Sequence, residues 1–221
     1  MELDVLDALR YLGAGDCPPE RARREMAAVA RGLTERLWPK YTYRVFSLNH
    51  EPEGIRLVEA DILLRGTLAK TMLADCRQAA VLACTLGAEF DAMLRGEQVR
   101  DMGKAAMLNA CGSALVESGC DEVEEKIAER FPGHFLTDRF SPGYGDLPLS
   151  LQPSICAALD TQRRLGVVVS DSYLMNPVKT VTAVIGLAEK PQMARIRGCA
   201  FCAMRETCAL RKGGKRCGTS E

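Results

Sequence analysis

The chain has 221 residues, with 29 basic and 29 acidic side chains, so its formal net charge is zero. A hydrophobic fraction of 47% and a charged fraction of 26% suit an ordinary globular domain with a real core and room for a small appendage. The balance of charge argues against a whole-chain nucleic-acid or membrane binder, and no apolar run approaches the roughly 20 residues that cross a bilayer.

The first segment predicts a helix with Val5, Leu6, Leu9 and Leu12 on one face and Gly13 and Gly15 as stops. Its Glu2, Asp4 and Asp7 leave no basic region of the signal-peptide kind, so a cytoplasmic location is expected. Pro18-Pro19-Glu20 opens a second helix running to about Leu37, with a stripe of Met26, Val29, Ala30, Leu33 and Leu37. Tyr41 to Leu48 alternates and reads as a strand, and Leu57 to Leu64 as its partner across a turn at Glu53-Gly54. Gly66 to Asp75 predicts a short helix, Ala79 to Thr85 a buried strand, and Gly87 to Gly96 another short helix. Val99 to Arg130 is the longest helical pattern, with a small-residue middle where another backbone can approach. Thr137 to Pro148, rich in Gly and Pro, reads as an ordered loop. Pro153 to Arg164 is helical, and Val167 to Ser170 and Val178 to Leu187 are strand-like. A composition shift sets a boundary near Lys190: residues 1–190 form one domain, with 1–38 as an N-terminal helical segment, and 191–221 a cysteine-rich tail. The expected class is α/β (α+β), with a mixed, mainly antiparallel sheet, flanking helices and one long central helix.

Several chemistries are excluded by what is missing. The two histidines, His50 and His134, cannot make an H-E-x-x-H site or a cluster of imidazoles. There is no phosphate-binding G-x-x-x-x-G-K-[ST] loop, and Gly13-Ala14-Gly15 lacks the third glycine and the preceding strand of a dinucleotide fingerprint. Of the ten cysteines, Cys17, Cys76, Cys84, Cys111, Cys120 and Cys156 are scattered, several in apolar or helical contexts, and are expected to pack as small hydrophobes.

Arg139-Phe140-Ser141-Pro142-Gly143-Tyr144 fits the pattern R-x-x-x-G-Y. A second stretch, Ser170-Asp171-Ser172-Tyr173-Leu174-Met175-Asn176-Pro177 followed by Val181-Thr182, is of the type T-E-S-F-A-M-x-P that leads into a core strand. In the order and spacing of these stretches the chain resembles the reactivation domain of cobalamin-dependent methionine synthase, over roughly residues 40 to 188. The resemblance implies that the loop binds S-adenosylmethionine. Arg139 could clamp the carboxylate of that ligand with a two-pronged hydrogen bond. Pro142 and Gly143 would shape the loop and let its backbone approach, and Tyr144 would offer a ring to the adenine or the sulfonium. Asp146 is a candidate partner for the ammonium group, as is Glu117, carried over from the family's helix before the loop. The family strand carries aromatic residues where this chain reads Ala183-Val184-Ile185, and a Trp where it has Asn176.

The resemblance also implies a job. A cobalamin methyltransferase that loses its reduced corrinoid to oxidation is restored by one-electron reduction coupled to methyl transfer from S-adenosylmethionine. A chain of this length has no room for the cobalamin, folate and homocysteine modules and no D-x-H-x-x-G loop. The expectation is therefore an accessory protein acting in trans on a cobalamin-binding methyltransferase or corrinoid protein, with an electron donor as further partner. The cobalamin sits on the partner. The chain's contribution is alignment, and no catalytic dyad is expected.

The tail reads C-x2-C-x5-C-x8-C at Cys199, Cys202, Cys208 and Cys217. In a reducing compartment clustered thiols point to metal rather than disulfides, either a structural zinc or a [4Fe–4S] cluster that could relay an electron. The tail is also basic, with Arg195, Arg197, Arg205, Arg211, Lys212, Lys215 and Arg216 against Glu206 over residues 193 to 217. The rival reading is a zinc-ribbon-like module that binds nucleic acid or an acidic protein face. Phe201 is the tail's one aromatic residue, which gives base stacking little support. A third reading is a drifted homologue with another adenosyl or amino-acid ligand.

Overall fold

The computed structural model describes residues 3–14, 18–192 and 196. Seven helices and eight strands are formed by these residues. Strands β1 (Lys40–Glu51), β2 (Gly54–Leu57), β3 (Ile62–Arg65), β4 (Cys76–Thr85), β5 (Phe135–Leu136) and β8 (Thr180–Ala188) form a six-stranded sheet in the order β3-β2-β1-β4-β8-β5. All its pairings are antiparallel. Strands β6 (Val168–Val169) and β7 (Met175–Asn176) make a separate ribbon.

Helices cover both faces. On one side α1 (Val5–Tyr11), α2 (Glu20–Thr34), α4 (Gly87–Arg100) and the long α5 (Met102–Arg130) pack over Ala80, Leu82, Cys84, Ala183, Ile185 and Leu187. On the other side α3 (Thr67–Met72), α6 (Gln152–Leu159) and α7 (Thr161–Leu165) enclose a second core with Ala79, Val81, Ala83, Val184 and Ala188. The alternation of strand side chains explains the split, and burial on both faces explains why β4 and β8 read as continuous apolar runs.

Most expected elements are present, with shifted limits. The long helical pattern begins not at Val99 but at Met102, because Asp101 accepts the Lys104 amide as an N-cap and separates α4 from α5. The helix expected over Pro153 to Arg164 is two, broken where Asp160 takes a left-handed φ of 53°. The strand expected over Leu57 to Leu64 is β2 and β3, parted by a 3-10 turn at Val58–Ala60. In α1 the buried residues are Ala8 and Leu9, whereas Leu6 and Leu12 face outward, so the expected apolar face is rotated. Cys76, Cys84, Cys111, Cys120 and Cys156 are buried free thiols; Cys17 lies outside the described residues.

The small-residue middle of α5 does admit close neighbours. A Cβ at Gly112 would lie 2.3 Å from the Phe90 ring, and one at Gly119 would lie 2.5 Å from Pro39 and 2.8 Å from the Cys84 sulfur. These contacts press α5 onto α4 and the sheet and fix the height of its outer face.

Candidate functional site

The R-x-x-x-G-Y segment leaves the sheet at its edge. Thr137 exchanges hydrogen bonds with Gly186, and Phe140 pairs with Val184 through both backbone groups, at 3.1 and 2.8 Å. Phe140 is fully buried in the second core, and a residue's side chain alternates from face to face, so Arg139 is directed to the α5 side. Beyond Phe140 the chain closes on itself. Tyr144 N–H donates to Ser141 O, Gly143 N–H to Leu147 O, and Leu147 N–H to Tyr144 O. Gly143 has a φ of 93°, a conformation that costs an L side chain strain, and Pro142 is buried.

The Arg139 guanidinium meets a stripe of acids on α5. Its Nη2 lies 2.5 Å from Glu117 Oε2, and its Nη1 lies 2.5 Å from Asp121 Oδ1 and also bonds Glu124 Oε1. Positions 117, 121 and 124 share one helix face, as residues three and four apart do. The Arg139 side chain is only 10% exposed. Burial alone would lower its basicity, but Glu124, Asp121 and Glu117 outweigh it and hold the guanidinium above its ordinary value. The one guanidinium is thus shared among three carboxylates of α5.

Tyr144 stands half exposed on the loop, and Tyr11, at the end of α1, is equally exposed. The Tyr11 phenol is held above its ordinary value, first by burial, then by the charges of Glu117 and Tyr144, with Arg139 and Arg10 opposing. Tyr11 therefore belongs to the same neighbourhood as Arg139, Glu117 and Tyr144. Sequence reasoning did not single it out, since nothing in its local pattern distinguishes it from a helix-end residue.

Asp146 is engaged locally. Its Oδ2 accepts the Thr67 amide at 2.6 Å and the Thr67 hydroxyl at 2.7 Å, and its Oδ1 accepts the Leu68 amide at 3.0 Å. These donors, the Leu68 amide first, pull its carboxyl down to about 2. Asp146, expected as a partner for an ammonium group, thus pins the far end of the loop to the start of α3. A Cβ at Gly66 would lie 2.6 Å from Asp146 Oδ1, so only glycine lets this carboxylate seat there.

Below the cluster, the Cys120 thiol is held well above its ordinary range by its hydrogen bond to Cys84 and by burial. It is a neutral packing group. His50, on β1, is hydrogen-bonded at 2.9 Å to the Cys76 carbonyl on β4. A concavity of about 950 Å³ lies elsewhere, between α2, α4 and the start of α5, and no loop residue lines it. The four tail cysteines, Cys199, Cys202, Cys208 and Cys217, lie outside the described residues. Among the described residues there is no group of three His, Cys, Asp or Glu side chains placed to hold a metal ion, and no helix is long and apolar enough to cross a membrane.

No family model matches the chain, and no curated protein matches it in sequence. Its structure does match a solved one, the crystal structure of the MetH reactivation domain bound to AdoHcy. The match covers 97% of this chain and 84% of that chain, with a TM-score of 0.62 and 14% sequence identity. The chain therefore has the fold of the MetH reactivation domain.

Proposed function

We propose that the chain binds S-adenosylmethionine between the R-x-x-x-G-Y loop and α5, and supports reductive methylation of a corrinoid carried by a separate methyltransferase. The observation that carries this reading is the pairing of Arg139, the first residue of the loop motif, with Glu117 on α5, close enough to Tyr11 for both charges to act on its phenol. It coincides with a fold shared with a protein bound to AdoHcy, the demethylated form of that ligand.

The residues divide the work. Arg139 organises the acids of α5 and fixes the loop's first residue against the helix. Glu117 draws the cationic end of the ligand, its ammonium and sulfonium. Tyr144 and Tyr11 offer ring faces to the sulfonium or the adenine, a contact worth about 0.5–2 kcal/mol. Gly143, with no side chain, leaves the loop backbone open to approach, while Asp146 holds its far end. When bound, S-adenosylmethionine supplies the methyl group; the protein supplies orientation.

The thiolates of Cys199, Cys202, Cys208 and Cys217 are proposed as a ligand set for a [4Fe–4S] cluster or zinc, on the strength of their spacing and type. Anaerobic purification separates the two: a brown protein with iron and sulfide supports the cluster, a colourless one with stoichiometric zinc the structural site.

The test of the function uses an oxidised corrinoid protein, a chemical reductant and S-adenosylmethionine under anaerobic conditions. The methylated corrinoid spectrum should appear faster when this chain is added, and the acceleration should fall with Glu117→Gln. An unchanged rate with every corrinoid protein tried, alongside intact ligand binding, would remove the role in trans.

A further inference from the structure

The segment that feeds the loop also holds the start of the cysteine-rich tail. Strand β8 ends at Ala188, paired with Phe135, and by Ile196 the chain is back beside the same segment, where the Ile196 amide donates to Asp138 Oδ2 at 2.9 Å. Ile196 is partly buried and packs against the second core, so an apolar contact backs the hydrogen bond. Asp138 is itself firmly placed between two anchors on β8. Before it, the Thr137 amide donates to Gly186 O at 3.0 Å and the Thr137 hydroxyl accepts the Gly186 amide at 2.8 Å; after it, Phe140 pairs with Val184. Arg139, the first residue of the loop motif, follows Asp138 directly and pairs with Glu117 on α5.

Covalent geometry carries the argument from Ile196 to the thiols, which themselves lie outside the described residues. Cys199 comes three residues after Ile196. A chain spans at most about 3.6 Å per residue, so the Cys199 Cα stands within about 11 Å of the Ile196 Cα. From Gln192, the described residue before Ile196, the same reach would be about 25 Å, so it is the contact with Asp138 that brings Cys199 to the loop's side of the sheet edge. A metal collects its sulfur ligands at about 2.3 Å, so Cys202, Cys208 and Cys217 must gather where Cys199 is if the four share one site.

We propose that the metal bound by Cys199, Cys202, Cys208 and Cys217 is held beside the R-x-x-x-G-Y loop, and that metal loading and S-adenosylmethionine binding favour one another. The proposal rests on the two readings above, a ligand at the loop and a metal on the tail, and deepens them by joining the two sites. The coupling has a structural route. Metal binding restricts a segment whose start holds the Asp138 carboxylate, one residue before Arg139. A loop already steadied by the loaded tail loses less conformational entropy on taking its ligand. Linkage makes the effect reciprocal, so S-adenosylmethionine raises metal affinity by the same factor. A chain that has lost its metal then also holds the methyl donor more weakly, which ties donor binding to the metal state of the tail.

The experiment prepares the whole chain loaded with zinc, loaded with cobalt(II), or stripped by a chelator, and titrates S-adenosylmethionine into each by calorimetry. The zinc-loaded wild type should bind about fivefold or more tightly than the stripped chain, the ordinary range for coupled sites. Asp138→Ala should lose most of that ratio, and thermal melts check that the variant is folded. In the cobalt(II)-loaded chain the paramagnetic ion should broaden the proton resonances of bound S-adenosylmethionine, while zinc leaves them sharp. Equal affinities with and without zinc, resonances that cobalt(II) leaves sharp, or a ratio that survives in full in Asp138→Ala would each overturn the proposal while leaving the two separate sites intact. Failure of the chain to retain zinc and cobalt(II) would overturn the metal reading, and failure to bind S-adenosylmethionine in any form the ligand reading; either takes this proposal with it.

Discussion

Arg139 Nη2 and Glu117 Oε2 lie 2.5 Å apart, joining the edge of the sheet to the middle of the longest helix. The pair is 22 residues apart in sequence, and it forms because Phe140, buried on the opposite face, turns Arg139 toward α5. Replacing Arg139 by Ala leaves Glu117, Asp121 and Glu124 facing one another without their shared cation. Removing one partner of a buried pair costs about 3–5 kcal/mol, and the partial exposure of Glu117 and Asp121 lowers that to about 2 kcal/mol here. Chemical denaturation should report that loss. Arg139→Lys should recover less than half of it, since one ammonium cannot span carboxylates that two guanidinium nitrogens now divide.

Asp146 makes a prediction about pH. Its carboxyl is lowered from 3.8 to about 2 in the folded chain, so the unfolded chain binds the proton more readily. The stabilisation it provides is fully present above 3.8 and is lost as pH falls toward 2. Asp146→Asn should therefore have a lower melting temperature than wild type at neutral pH, with the gap closing over that window. A gap that stays constant down to pH 2 would show that the cap on α3 is not the source.

Gly112 sits where a Cβ would lie 2.3 Å from the Phe90 ring, and that ring is fully buried. Gly112→Ala must displace the ring or lift α5 from α4, at about 1–3 kcal/mol by the usual cost of overpacking. The same lift would move Glu117. Weakened ligand binding should accompany the lost stability, and Phe90→Leu in the same chain should restore part of both.

The two tyrosines can be separated by ligand binding. Tyr144→Ala removes a ring from the loop and should weaken S-adenosylmethionine by about 0.5–2 kcal/mol, the range for a cation held over a ring. Tyr11→Phe keeps the ring and should cost much less. If Tyr11→Phe costs as much as Tyr144→Ala, the phenol rather than the ring face is what the ligand meets.

The layers were legible because their patterns were strong. The apolar runs of β4 and β8 and the stripe of α2 announce elements buried on one or two sides. What local pattern could not show was where helices stop, since Asp101 and Asp160 act through cap geometry rather than hydropathy. The loop was found by its motif and Glu117 through a family resemblance, as a partner for the ligand's ammonium group, while the ion pair between Glu117 and Arg139 was not foreseen. Asp121 and Glu124 stayed hidden among the many charges of a solvated helix end. Tyr11 was invisible for a different reason. It feels the charge of Glu117, which is distant in sequence and comes near only once α1 has packed on α5.

The most direct measurement is a calorimetric titration of S-adenosylmethionine into the anaerobically purified wild-type chain, beside Glu117→Gln. Binding by wild type, with about 1.5–3 kcal/mol lost in the variant as a charged hydrogen bond becomes a neutral one, is the result expected if the acids of α5 receive the ligand's cationic end. No heat and no thermal stabilisation of the wild type at millimolar ligand would contradict the account, and would leave the Arg139 cluster as a purely structural clasp between sheet and helix.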